Sequence, residues 1–140
     1  MEVQKPIFPH WMRGLLLLMA AYNVLWAAFI VWFPSTFYEW VTQVEAVAPP
    51  VIKWQGRAVL LMGLVYFISA LHPGRFWYLM VVGALTKLGG AIWFYFVILE
   101  QQVGDKALFH LIMNDAIWIP FLVAMALRGR QYASEQKLLS

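Results

Sequence analysis

Apolar residues in this chain fall into four long runs, divided by short polar or proline-bearing stretches. The runs cover about 14–33, 51–71, 76–99 and 107–127. Each reaches the ~20 residues that a helix rising about 1.5 Å per residue needs to cross ~30 Å of hydrocarbon. The pattern therefore predicts an all-α fold: an integral membrane four-helix bundle forming a single domain over 1–140. Pro34 stops the first run, and His72-Pro73-Gly74-Arg75 makes a tight turn between the second and third. Between the first two runs, STFYEWVTQVEAVAPP predicts a short interfacial helix over 36–47. Thr36 and Glu39 have capping-box spacing there, and Phe37, Trp40, Val41 and Val44 share one face. An aromatic-rich loop is the plainer alternative. Residues 1–13, with Pro6 and Pro9, read as irregular up to Trp11, and the polar tail after Leu127 as frayed. The first run is long and lacks a clear cleavage site after it, so it reads as a retained helix rather than a signal peptide.

Charge at the ends of the runs gives an orientation. Lys5, Arg13, Arg75, Arg128, Arg130 and Lys137 fall on one side. The other side has Lys53 and Lys106 among Glu39, Glu45, Glu100 and Asp105. The positive-inside rule then predicts an antiparallel up-down bundle with both termini cytoplasmic.

Polar residues inside the runs carry the candidate chemistry. Lys87 stands near the middle of the third run, where a charge costs at least ~2.5–3.5 kcal/mol. Its helical neighbours Gly83, Ala84, Gly90 and Ala91 are small, which predicts close helix packing on that face, and the pair Gly89-Gly90 reads as packing too. Counted from the basic ends at about 1.5 Å per residue, Lys87 lies roughly 18 Å deep, Asp115 about 20 Å, Asn23 about 15 Å and Arg57 about 22 Å. The predicted polar layer comprises Lys87, Asp115, Asn114, Arg57, Asn23, His110, Gln55 and Trp118. In it Asp115 faces Lys87 or Arg57, and Asn23, Asn114 and Gln55 complete hydrogen bonds. Pro120 has no N–H, which frees the Ala116 carbonyl and kinks the fourth helix beside Asp115. Two cations against one carboxylate would suit an anionic head group or a polarised carbonyl. The competing reading is a structural ion pair that fixes helix pairing. His110 is a candidate proton relay towards Asp115, or an ordinary packing residue. Trp11, Trp32, Trp54 and Trp77 are candidate interfacial anchors. Trp26, Trp93 and Trp118 lie deeper, where they could line an aromatic pocket.

Composition narrows the classes. The chain is 63% hydrophobic and 12% charged, against ~25% charged in an ordinary soluble domain. Its basic residues sit at run ends rather than in a stripe, so membrane lipids and not nucleic acid explain the positive charge. Absence of cysteine excludes disulfides, thiol catalysis and Fe–S clusters. His10, His72 and His110 are scattered with no metal-ligand spacing, so no metal site is expected, and no nucleotide or hydrolase motif appears. The sequence names no cofactor.

Three stretches, WQGRAVLLMGLVYFISALHPGRFW, VVGALTKLGGAIWF and NDAIWIPF, resemble a group of small bacterial inner-membrane proteins that are DoxX-like in layout. The likeness spans about 54–121. It implies a multipass inner-membrane protein and singles out Lys87 with Gly83, Gly90, Asn114, Asp115, Trp118, Pro120 and Phe121. It implies no settled activity. The functional expectation is a bundle that binds a lipid-like or quinone-like amphiphile, or a small accessory subunit of a larger membrane complex. A proton-coupled small-molecule carrier acting as a homodimer is the alternative, and an enzyme using Lys87 as base or Schiff-base nucleophile is a third reading.

Overall fold

The computed structural model describes residues 7–140; Lys5 and Pro6, used above, lie outside the described residues. The described chain is all-helical, with four helices long and apolar enough to span a membrane. These are α1 (His10–Trp32), α3 (Val51–Leu71), α4 (Trp77–Ile98) and α5 (Asp105–Leu139), and a short α2 (Pro34–Thr42) follows α1.

Prolines set several boundaries. Pro9 is the N-cap of α1, so the helix starts at His10, ahead of the irregular lead expected up to Trp11. Pro34 does more than stop α1. It takes the first position of α2, where its missing N–H is no loss. The helix expected over 36–47 is thus shorter and begins earlier. Thr36 does not cap it, because the N-cap is Phe33 and no side chain caps that end. Gln43 turns left-handed at φ 58° and closes the helix by donating its N–H to the Glu39 carbonyl. Phe37 and Val41, one turn apart, are buried against Ile30, Ile52, Phe94 and Ala107. The aromatic face of α2 therefore docks on the other helices, while Val44 is left exposed.

Glycines decide which helices pack closely. Gly56 and Gly63 stand two turns apart on α3 and face α1. A Cβ at Gly56 would lie 2.7 Å from Val31 Cγ2, and one at Gly63 would lie 3.2 Å from the Ala20 carbonyl oxygen. This pair of helices makes the most extensive contact in the molecule, followed by α4 with α5. Gly129 on α5 is equally tight, 2.8 Å from the Pro73 carbonyl oxygen by the same measure. Tyr132 packs beside Gly74 in the same way. These contacts dock the tail onto the His72–Arg75 turn, so the segment expected to fray stays helical to Leu139. Contact between α3 and α4 is sparser than in either close pair.

The apolar interior forms two clusters. One holds Leu16, Met19, Tyr66, Met80, Leu122 and Met125. The other holds Ile30, Phe37, Ile52, Phe94, Ile98 and Ala107. In α1, α4 and α5 a buried polar residue falls between the two in sequence: Asn23, Lys87, and Asn114 with Asp115. Large apolar side chains face outward, and Leu25, Leu61, Leu85 and Leu127 are 60–72% exposed. Apolar surface on this scale is unsuited to water and suited to hydrocarbon.

Candidate functional site

The site is built on an irregularity in α5. From Ile112 to Ala116 the helix opens into a π-turn, and the Ile117 N–H reaches back to the Ile112 carbonyl at 3.0 Å. Such a turn shifts the hydrogen-bond ladder by one residue and leaves carbonyls to find other donors. Pro120, close downstream, removes one more N–H. Two carbonyls of the turn are satisfied by side chains. The Trp118 indole Nε1–H donates to the Met113 carbonyl at 2.8 Å. The Lys87 ammonium donates to the Asn114 carbonyl. Proline was expected to free the Ala116 carbonyl; the acceptors in use lie two and three residues earlier, within the widened turn.

Lys87 also meets Asp115, with Nζ 3.8 Å from Oδ1. It is the one ion pair among the described residues, and both side chains are at most 10% exposed. Asn114 completes the arrangement by donating its Nδ2–H to Asp115 Oδ1 at 3.1 Å. Lys87 thus ties α4 to α5 through a carbonyl and a carboxylate, and Asn114 shares the carboxylate's negative charge. A charged hydrogen bond and a charged pair in a dry interior are individually strong.

This trio forms one wall of a cavity of about 400 Å³. The opposite wall is α3, which contributes Val51, Gln55, Ala58, Val59, Met62 and Tyr66, and Trp93 and Phe94 line it from α4. A ligand-sized pocket with apolar walls and a few convergent polar groups is the usual form of a small-molecule site. Second-pair packing explains the space: tight glycine contacts draw α3 to α1 and tight contacts draw α4 to α5, which leaves the α3–α4 seam open. Gly90 lies on that seam, and a Cβ there would meet nothing within 4 Å. Gly89 is equally free, so neither residue of the expected packing pair receives a helix. Gly83, by contrast, receives Tyr66, whose Cε1 would be 2.6 Å from an added Cβ.

Of the predicted layer, Lys87, Asp115, Asn114, Asn23 and Gln55 line this cavity. Asn23 is buried but spends its Nδ2–H on the Met19 carbonyl of its own helix at 2.8 Å. Arg57 is not part of the layer. It is exposed and its guanidinium lies 4.5 Å from the centre of the Trp54 ring, one turn back. Being only roughly 9 Å from the start of α3, it can reach the helix end along Trp54 instead of turning inward. Consequently one cation, not two, faces the carboxylate. His110 is also elsewhere. It is enclosed by Trp26, Phe37, Trp40 and Phe94, the nearest ring centre 4.9 Å away, and makes no hydrogen bond to Asn114 or Asp115. Trp118 supports the π-turn from outside the cavity, packed on Tyr22. Among the deeper tryptophans only Trp93 lines the pocket, and Trp26 belongs to the aromatic group around His110.

Sequence reasoning missed Tyr66 and Thr86, both on the cavity wall. Tyr66 is fully buried, and its hydroxyl has no hydrogen-bond partner. A signal existed: Gln55, Ala58, Val59, Met62 and Tyr66 fall on one stripe of α3 at helical spacing, ending on the residue that Gly83 accommodates. No group of histidine, aspartate or glutamate side chains among the described residues is arranged to hold a metal ion. Compared with known proteins, the chain matches no family model, no curated protein and no solved structure.

Proposed function

We propose that this chain is an amphiphile-binding protein of the bacterial inner membrane, and that the cleft between α3 and α4 receives the polar end of a lipid-like or quinone-like molecule. The observation that carries the proposal is the open cavity of about 400 Å³ beside the Lys87–Asp115 pair. A purely structural ion pair calls for no adjoining space. Here the pair borders a void whose remaining walls are mostly apolar, with a few polar groups such as Gln55 and Tyr66, so a hydrocarbon chain can lie along α3 while its head group meets the polar atoms. The proposed topology is antiparallel and up-down, with both termini cytoplasmic, supported by Arg13, Arg75, Arg128, Arg130 and Lys137 at one set of helix ends. The DoxX-like resemblance read from the sequence singles out Lys87, Gly90, Asn114 and Asp115 of the cavity wall, and with it goes the proposed inner-membrane location.

Mass spectrometry of lipid extracts from purified protein tests the binding role. Wild type should carry a reproducible amphiphile that is absent from Lys87→Met, provided the variant remains folded. Empty wild-type protein would end this reading. Topology is tested by labelling cysteines introduced at Ser35, Gln101 and Ser134 in intact cells. The first two should react with an impermeant reagent from outside, and Ser134→Cys should not.

A further inference from the structure

The hydrogen-bonding demand of the cavity specifies the head group more closely, on the premise that the cavity binds an amphiphile at all. Three polar atoms on its wall are buried and have no partner: Asn114 Oδ1, Gln55 Oε1 and the Tyr66 hydroxyl. Such atoms are uncommon in folded proteins, because each loses its water without a replacement. The Asn114 assignment is fixed by its surroundings. Its other terminal atom faces the Asp115 carboxylate, which only an N–H can do favourably, so the unpartnered atom is the carbonyl oxygen. Tyr66 can donate or accept. The wall therefore offers a lone pair in search of a hydrogen at Asn114, a Tyr66 hydroxyl able to work either way, and a Gln55 amide that no hydrogen bond fixes and that can turn its oxygen to a ligand.

Charge points the same way. With Arg57 outside, Lys87 and Asp115 form a pair with no net charge. An anionic head group would meet a lysine already engaged with Asn114 and Asp115, and a carboxylate that repels it. A head group with only ether or ketone oxygens would set lone pair against lone pair at Asn114 Oδ1. A hydroxyl satisfies both sides, donating to Asn114 or Gln55 and accepting from Tyr66. We infer that the α3–α4 cavity selects an uncharged, hydroxyl-bearing amphiphile, a phenol or an alcohol, over carboxylates, phosphates and molecules with carbonyl oxygens alone. For a quinone-like ligand this means the dihydroxy form in preference to the dione.

The test compares 4-octylphenol, its methyl ether 4-octylanisole, and octanoate, titrated by calorimetry into the purified full chain in detergent. Gly90→Leu serves as the blocked control. Its side chain enters open space on the cavity wall, so the protein should fold while both phenol and ether lose their saturable binding. Wild type should bind the phenol about tenfold or more tightly than the ether, the worth of one well-placed hydrogen bond in a buried site. Octanoate should bind more weakly than the phenol. Gln55→Met should reduce the phenol's advantage severalfold while leaving the ether's affinity unchanged, and Tyr66→Phe, which removes a donor that either ligand's oxygen can use, should weaken phenol and ether alike. Gln55 is only half-buried, so that variant stays informative if Tyr66→Phe disturbs the core. Equal binding of phenol and ether, both abolished by Gly90→Leu, would overturn the hydroxyl preference and leave the amphiphile role intact. Tightest binding by octanoate would also overturn it. No saturable binding of any probe would remove the amphiphile role itself.

Discussion

His110 and Asp115 sit little more than a turn apart on the same helix, both buried, and the protein treats them in opposite ways. His110 is packed within aromatic rings from α1, α2 and α4, its Nδ1 without a partner, and it does not line the α3–α4 cavity. Asp115 has a cation, an amide donor and an open cavity. Polarity within an apolar helix therefore does not distinguish a site from a packing residue. Adjacent space does. An imidazole held away from that cavity does not meet a ligand bound there, whereas a carboxylate on its wall can.

The comparison can be broken by substitution, and the largest effects should come from the ion pair. Lys87→Met or Asp115→Leu alone leaves an uncompensated charge in a dry interior and should cost about 3–5 kcal/mol, read as reduced thermal stability in detergent. Next comes the contrast between glycines. Gly63→Leu forces a side chain into α1 and should destabilise by about 1–3 kcal/mol, whereas Gly90→Leu enters open space and should fall within about 0.5 kcal/mol of wild type. His110→Phe replaces an unpartnered ring nitrogen with carbon inside an aromatic enclosure. It should stabilise by about 1 kcal/mol and leave ligand binding unaltered, and loss of binding would reinstate His110 as part of the site. Arg57→Gln should have the smallest effect, no more than about 0.5 kcal/mol, because the arginine is exposed and its guanidinium lies over the neighbouring Trp54 ring.

Much of this arrangement was legible in the sequence because hydrocarbon leaves a strong record. Four long runs with few water-seeking residues mark four long helices, and a lysine amid glycines marks the face that turns inward. Depth counting brought Lys87 and Asp115 to one level because both residues lie far from either end of their helices. The same count failed for Arg57, whose long side chain reaches a helix end that the backbone depth ignores. The π-turn was not legible. Pro120 signals disturbed hydrogen bonding but not which carbonyl will be released, and the answer depends on Lys87 arriving from another helix. Tyr66 was missed for a similar reason: its role comes from facing Gly83 across a seam, a pairing that one helix's periodicity cannot supply. The extended tail of α5 was hidden by its polar composition, since Gly129 and Tyr132 hold it through contacts with a turn more than fifty residues away in the chain.

The central claim is that the Lys87–Asp115 pair works as part of a binding site rather than only joining two helices. The measurement that tests it most directly is a double-mutant comparison scored on stability and on retained ligand together. Lys87→Met combined with Asp115→Leu should recover most of the thermal stability that either change alone removes, because apolar residues of similar size replace a buried pair at little cost. The recovered protein should nevertheless carry none of the amphiphile found with wild type in the same lipid extraction. Recovery of stability with the ligand still bound would contradict the claim and make the pair purely architectural.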